Sequence, residues 1–462
     1  MPSAWDFLSE DTGERESFGF FCSVTTSTLA GLFDFGFWSR RLLQISHHYP
    51  ALWHCMTALA SIHREYVTES TPPSRPRIWE NRNIGFALKQ SNRAIQSLMQ
   101  LLSEQCLTAL DRMVVLTTNI LFTCMCSLQG RQWQAFMHIN NGLKLFHQWE
   151  LGSKLISQPE DRIGADMLLL VFTRLDSQVR PYLLWQTPPL NWADSQITLS
   201  STKAPFTTLL QAYVSLEVLF NGVMRFLLCP DTWSLSRQSV VSAEKLTYLH
   251  RLHEWDAKLA NLLKDLLESD HGKAIDLLTI RRKFTGLLLA TNLTQCELAH
   301  DAFLSDYVAI IEAVSRVLGD LKSLVLGRDQ SAERPTHANF GLETGIVEPL
   351  FWIGVRCREP KIRHQALRLL QRYPRREGIC EGMLAAKIVA KVIEIEETGC
   401  SQVAKKMCST SPCTSGPWIC EAHRVNTCDV ILATERQVRV VIRTVEDWAL
   451  SRPGTEFVTS WW

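Results

Sequence analysis

The chain has no Gly-x4-Gly-Lys-Ser/Thr, no Gly-x-Gly-x2-Gly and no Gly-x-Ser-x-Gly. Backbone cradles for phosphate and the strained turn that presents a nucleophilic serine therefore have no candidate. His-Glu-x2-His is also missing: His253-Glu254 is not followed by a second histidine one turn on. The first twenty residues carry Asp6, Glu10, Asp11, Glu14 and Glu16 and show no basic start before an apolar core, which is not a secretory leader. Fourteen cysteines in 462 residues are too dilute for a disulfide scaffold and read as reduced thiols of a cytosolic or nuclear protein. Excess charge of one sign is lacking too. Lys and Arg number 48 against 47 Asp and Glu, so binding to nucleic acid by the overall field is not expected.

A hydrophobic share of 46% is that of a folded chain. Length alone suggests several domains or one large helical array. The stretch free of charge and histidine from Met113 to Gly130 is long enough for a membrane span. It contains Thr117, Thr118, Asn119, Thr123, Ser127 and Gln129, and reads instead as a central core helix.

Helical periodicity runs through most of the sequence. After Pro50, the residues Leu52, Cys55, Leu59, Ile62 and Tyr66 form one stripe, and prolines in Thr68–Arg82 predict an exposed loop. Leu88, Ile95, Leu98 and Leu102 share a face, as do Trp133, Phe136, Ile139, Leu143 and Phe146. Later stripes include Phe206–Phe220, Leu246–Leu263, Ile280–Leu298 and Phe303–Leu326, and Arg328–Asn339 reads as a flexible connection. No fixed period recurs, which argues against a true repeat protein. Gly399–Trp418 reads as a loop, and Gln437–Arg443 is the one respectable strand candidate, a minor appendage at most.

The candidate metal ligands are weak. His47, His48, His54 and His63 do not share a helix face, and Cys124 and Cys126, two apart on an apolar helix, point to different sides and read as core thiols. The late group Cys400, Cys408, Cys413, Cys420, Cys428 and His423 lacks the close pairs that organise zinc loops, and an unstructured tail is the preferred reading. No catalytic, cofactor-binding or metal-binding residue is assigned.

The sharpest electrostatic feature lies in Glu348–Glu397. Arg356, Arg358, Lys361, Arg363, Arg368, Arg372, Arg375 and Arg376 are opposed in that run only by Glu359, with Ile362, Ala366, Leu369 and Leu370 interleaved. That pattern predicts a helix with an apolar side and a basic side. Arg356, Arg358, Arg363, Arg368, Arg372, Arg375 and Arg376 form a candidate partner- or phosphate-contact face. The alternative is a solvated face whose arginines pair with Glu377, Glu381, Glu394, Glu396 or Glu397.

An ordered series of landmarks resembles the regulatory, or middle-homology, region of fungal zinc-cluster (Zn2Cys6) transcription factors. They are Glu16-Ser17-Phe18-x-Phe20-Phe21, Phe37-Trp38, Leu42-Leu43-Gln44, Pro50-Ala51, Ala58-Leu59-Ala60-x2-His63 and Ala94-Ile95-x2-Leu98. Leu121-Phe122, Leu128-Gln129-Gly130, His138-x3-Gly142-Leu143, Arg174-Leu175-Asp176-x-Gln178 and Pro374-Arg375-Arg376-Glu377-Gly378 follow in order. With the periodicity, the expected fold is all-α: a large irregular multi-helix bundle or array with a short C-terminal tail that contains any β structure. The expected division is an N-terminal flank over 1–16, the helical regulatory domain over 17–398 and a Cys/Ser-rich loop and tail over 399–462.

The resemblance implies a nuclear protein that controls transcription, with transcriptional machinery or co-regulator proteins as partners. A small-molecule effector and a second copy of the chain are further candidate partners; no membrane is implied. The family's DNA reader carries Cys-x2-Cys-x6-Cys halves around two zinc ions. Here only Cys22 precedes residue 50, so that module is missing and direct DNA binding is not expected. No cofactor is expected in this chain, and zinc only with such an N-terminal cluster. Two other readings stay open, a helical interaction scaffold without a transcriptional role and a helical enzyme with no recognisable motif.

Overall fold

The computed structural model describes residues 11–33, 36–68, 82–149, 159–183, 204–229, 238–265, 272–291, 296–319, 338–343, 345–399, 418–434 and 436–460. Helices α1 (Thr12–Phe20) and α2 (Thr26–Ala30) join through a π-helical turn, and a second such turn at Phe37–Arg41 leads into α3 (Leu42–Ser46). Next come α4 (Pro50–Thr68), α5 (Arg82–Leu102), α6 (Ala109–Leu128), α7 (Gln132–Gln148), α8 (Pro159–Leu183), α9 (Leu209–Leu227), α10 (Gln238–Asp265) and α11 (Gly272–Ala290). A 3-10 turn at Glu297–Phe303 precedes α12 (Leu304–Leu318). The C-terminal part holds β1 (Asn339–Gly341), α13 (Val347–Arg356), α14 (Pro360–Arg372), β2 (Arg375–Glu377), β3 (Cys380–Glu381), α15 (Gly382–Gly399), β4 (Val425–Leu432), β5 (Gln437–Thr444), α16 (Val445–Ala449) and β6 (Thr455–Ser460). The fold is an all-α array with small sheets.

Local chemistry sets the helix ends. Thr108 and Asp111 form a capping box that opens α6, and Gly130, at φ 70°, lets the chain turn after it. Pro50 and Pro360 stand at the starts of α4 and α14, where the missing N–H has no intrahelical partner. The Glu359 carboxylate accepts from the Ile362 amide to cap α14. Asp11 caps α1, so the helical body begins before residue 17.

Two hydrophobic cores result. The first gathers α1 to α8 around α6, whose Met113, Leu116, Ile120, Leu121, Cys124 and Leu128 are all buried. By length and composition α6 could span a membrane, yet it is the helix that α4, α7 and α8 enclose. Gly142 permits the tight approach of α7, because a Cβ there would sit 2.4 Å from Asn119 and 2.5 Å from Phe172. The second core is built from α12 to α15 and the last sheet. Helices α9 and α11 serve both. Leu216 and Val223 face the first core while Phe220 and Met224 face the second; Leu278 and Leu289 face the first while Ile280, Phe284 and Leu287 face the second.

Two expectations need correction. Gln437–Arg443 is not the one strand, because Arg375–Glu377 is a strand pairing in parallel with β1 and antiparallel with β3. Nor is the segment after 399 an unstructured tail throughout. Gln437–Thr444 is a strand as expected, but it is the middle of a three-stranded antiparallel sheet between β4 and β6. Val425, Val438, Val440 and Ile442 of that sheet enter the second core, which makes it an integral part of the fold. The expected loops at 69–81, 328–337 and 400–417 lie outside the described residues.

Leu369 is fully buried on α14. Leu369→Asp is expected to lower stability by ~3 kcal/mol or more, since it places a charge in an apolar site. Urea unfolding checks this by a lower midpoint, with the exposed Lys361→Glu change on the same helix leaving the midpoint nearly in place.

Candidate functional site

The basic run does not form a common surface. Arg356, Arg358, Arg363 and Arg376 are buried, and Arg368, Arg372 and Arg375 are half-buried. The expected contact face over these seven residues is therefore replaced by an internal charge network. Its centre is Glu396 on α15, which is fully enclosed. One carboxylate oxygen accepts from Arg358 at 2.9 Å and from the Val425 amide at 2.7 Å, and the other accepts from Arg363 at 2.8 Å.

Arg356 donates to Glu297 at 2.7 Å and to the carbonyls of Val425 and Asn426. Arg358 adds a 3.1 Å ion pair to Glu297. Beside them, Arg424 makes a two-pronged contact with Asp301 at 2.9 and 2.7 Å. Burial alone would raise the Glu396 carboxyl, but Arg358 and Arg363 outweigh it and hold the group below its ordinary value.

Of the partners expected for the arginines, Glu396 and Glu377 are used, the latter by Arg375 at 2.9 Å. Glu394 pairs with Lys391 instead. Glu297, Asp301 and Arg424 escaped the sequence reading, because they sit in a 3-10 turn and a strand flank where no periodic pattern marks them. Two further arginines of the run meet rings or backbone. Arg372 lies 5.4 Å from the Tyr373 ring, and Arg376 lies 5.9 Å from the Tyr66 ring and donates to the Ser127 carbonyl.

That last contact belongs to a latch between the halves of the chain. Ser127 Oγ donates to the Gly378 carbonyl at 2.5 Å, and Gln178 Oε1 accepts from the Ile379 amide at 3.0 Å. Gly378 has φ 59°, and a Cβ there would lie 2.4 Å from Gln178 Oε1, so the turn admits only glycine. Next to it, Glu377 accepts from the amides of Gly345, Ile346 and Val347 and closes the N-terminus of α13. A second buried pair links the shared helices, with Arg281 of α11 2.7 Å from Glu217 of α9 and 3.2 Å from Glu348.

One open feature among the described residues is a cleft of about 510 Å³ between α10, α11 and α12. Leu278 and Leu287 of α11, Trp255 and Leu259 of α10, and Phe303 make its floor. The Trp255 indole is fixed by a 2.9 Å hydrogen bond to the Ala212 carbonyl. Asp256 with Arg282, and Lys283 with Asp306, form an ion pair on either side.

Residues 20–177 match the fungal specific transcription factor domain. The chain is also 22% identical, over 437 residues, to the aspercryptin biosynthesis cluster-specific transcription regulator atnN of Emericella nidulans, covering 77% of this chain and 69% of that protein. Residues 20–177 are thus similar to the regulatory domain of fungal transcription factors. No solved structure matches it.

The matched span runs from the end of α1 to α8, so it lies within the first core, and the charge network and cleft lie beyond it. A two-zinc cluster does not fit the residues present. Cys-x2-Cys-x6-Cys occurs nowhere in the sequence, and among the described residues no three His, Cys, Asp or Glu converge on one point.

The histidines are dispersed. His63 is buried against Thr25 Oγ1 at 3.0 Å, while His54 reaches Gln90 at 2.6 Å. Burial pushes the Cys124 thiol up, as for a core cysteine, and Cys126 is half-buried beside it. In the late group, Cys420 lies 2.8 Å from His423 Nδ1 and Cys428 is half-buried on β4; Cys400, Cys408 and Cys413 lie outside the described residues.

Glu396→Gln is expected to cost about 3–5 kcal/mol, the range for removing one partner of a buried ion pair, because Arg358 and Arg363 stay enclosed without their counter-charge. Thermal or urea unfolding reads this loss. Acid should also weaken the domain. Burial lowers His63 to about 4; His300 falls to about 2 through burial and the neighbouring Arg356, Arg358 and Arg424. Both are neutral in the fold, whereas the unfolded chain takes up protons below pH 6.5. Stability should fall as pH drops below that value, and His63→Gln should flatten the slope in urea midpoints taken between pH 7 and pH 5.

Proposed function

We propose that this chain is a nuclear regulator of transcription that works through contacts with co-regulator proteins or the transcriptional machinery, with a small-molecule effector setting its output. The observation that carries this reading is the match of residues 20–177 to the fungal transcription factor domain. Similarity to a cluster-specific transcription regulator over most of the chain supports it. DNA reading is not assigned to these 462 residues. They hold no zinc-cluster spacing, and Arg356, Arg358, Arg363 and Arg376, half of the basic side chains of Arg356–Arg376, are engaged inside the fold.

Protein contact has a candidate surface on α5. Leu88, Ile95, Met99 and Leu102 are 47%, 44%, 67% and 48% exposed, and their spacing places them on one side of the helix. Exposed Asn92, Gln96 and Gln100 flank them together with the cation Lys89. An apolar stripe with a mostly uncharged polar flank has the composition of an interface centre, and it fits the apolar face of a co-regulator helix.

Fusing the chain to a heterologous DNA-binding domain at a reporter promoter tests the reading. Reporter output is expected to change, and the paired substitution Ile95→Glu with Met99→Glu is expected to abolish that change while thermal unfolding stays near wild type. An unchanged reporter together with exclusion of the tagged chain from the nucleus would favour the cytosolic scaffold reading instead.

A further inference from the structure

We propose that the cleft between α10, α11 and α12 binds an amphipathic organic anion, with an apolar body and a single carboxylate- or sulfonate-type head. The proposal rests on the regulatory reading only where it takes this ligand to be the effector. Binding itself is a property of the purified chain.

The first argument is a glycine. Gly286 sits inside α11, where glycine is a poor helix former. Two other helical glycines of this fold are demanded by packing. A Cβ at Gly142 would meet Phe172 at 2.5 Å, and one at Gly354 would meet Val389 at 2.5 Å. A Cβ at Gly286 would meet only the tip of the flexible Arg282 side chain, at 3.0 Å. Packing does not exclude a side chain there, and what its absence leaves is open space in the wall of the cleft. Gly19, Gly85 and Gly272 are unhindered too, but none of them is among the residues that line this cleft.

The second argument is the lining. Trp255, Leu278 and Leu287 are almost fully buried and fix the base of the cleft, while the half-buried Leu259 and Phe303 offer apolar contact beside its charged side chains. The third is the placement of charge. The charged group nearest the glycine gap is the Arg282 guanidinium, one turn away on the same helix, and Lys283 follows it. Both cations come from α11, whereas Asp256 and Asp306 stand on the two flanking helices. The side chains of these pairs are 22% to 41% exposed, and ion pairs this open contribute little. A ligand's anionic head can therefore take the place of one aspartate on the planar guanidinium fork, which suits two parallel hydrogen bonds to a carboxylate or sulfonate.

The test uses the full chain and 8-anilinonaphthalene-1-sulfonate as probe, followed by fluorescence titration and calorimetry. N-phenyl-1-naphthylamine serves as the uncharged counterpart. One saturable site is expected for the sulfonate. Gly286→Leu should fill the gap and weaken binding about tenfold or more. Its thermal midpoint should not fall, because leucine favours helix over glycine. Arg282→Gln should weaken the sulfonate while leaving the uncharged probe unaffected.

Non-saturable binding, wild-type affinity in Gly286→Leu, or equal affinity for the two probes would overturn the proposal. The transcriptional link is read separately. If the probe behaves as expected but the tethered Gly286→Leu variant drives the reporter like wild type, the site stands and its role as the effector site falls.

Discussion

The carboxylate of Glu396 is the contact on which the C-terminal half depends. It is fully enclosed and receives Arg358 and Arg363 from the start of α14 together with the backbone of β4. Taking such a group out of water is costly, and the fold offsets that cost only by bringing three separate segments to it at hydrogen-bond distance. The reward is geometric. A helix start, a helix end and a sheet edge are held at one point, and Glu297 extends the network to the 3-10 turn that precedes α12.

Such a network specifies arrangement more than it adds stability, since well-packed apolar residues would serve stability as well or better. The second core shows what the arrangement serves. It faces α11 from one side while the first core faces it from the other, and the cleft opens along that same helix. Arg281, paired with Glu217 inside the fold, and Arg282, paired with Asp256 at the cleft, are neighbours in sequence. A change at the cleft thus bears directly on a helix that both cores share.

The helical fold was legible because its stripes obey a single period. Leu52 to Ile62, Phe136 to Phe146 and the apolar Met113–Leu128 lie on helices whose buried faces are those the spacing indicated, whereas Trp133 and the Leu88, Ile95 and Leu102 stripe of α5 are exposed. The sheets were not legible as a set. β5 alternates, but β4 carries Asn426, Thr427, Cys428 and Asp429 in sequence, and β2 and β3 are too short to show any period. The direction of the arginines was also hidden. Arg363 and Lys361 sit in the same polar-looking run, yet one is buried and the other exposed, because the acid that encloses Arg363 arrives from α15. Residue spacing reports which side of a helix is apolar, not whether a distant carboxylate will cover the other side. The cleft left only an unremarked glycine, Gly286, as its trace.

The latch at Gly378 carries a consequence for how the protein is made. Ile379 completes the first hydrophobic core, and Ser127 reaches Gly378 across a separation of 251 residues. The ribosome releases the helices of the first core long before it releases their last partner. Until Ile379 emerges, those helices stand with an unfilled site on α6 and α8, and closure of so long a loop is intrinsically slow. The span that matches the fungal transcription factor domain therefore acquires its full set of native contacts only after the residues around Ile379 have been made.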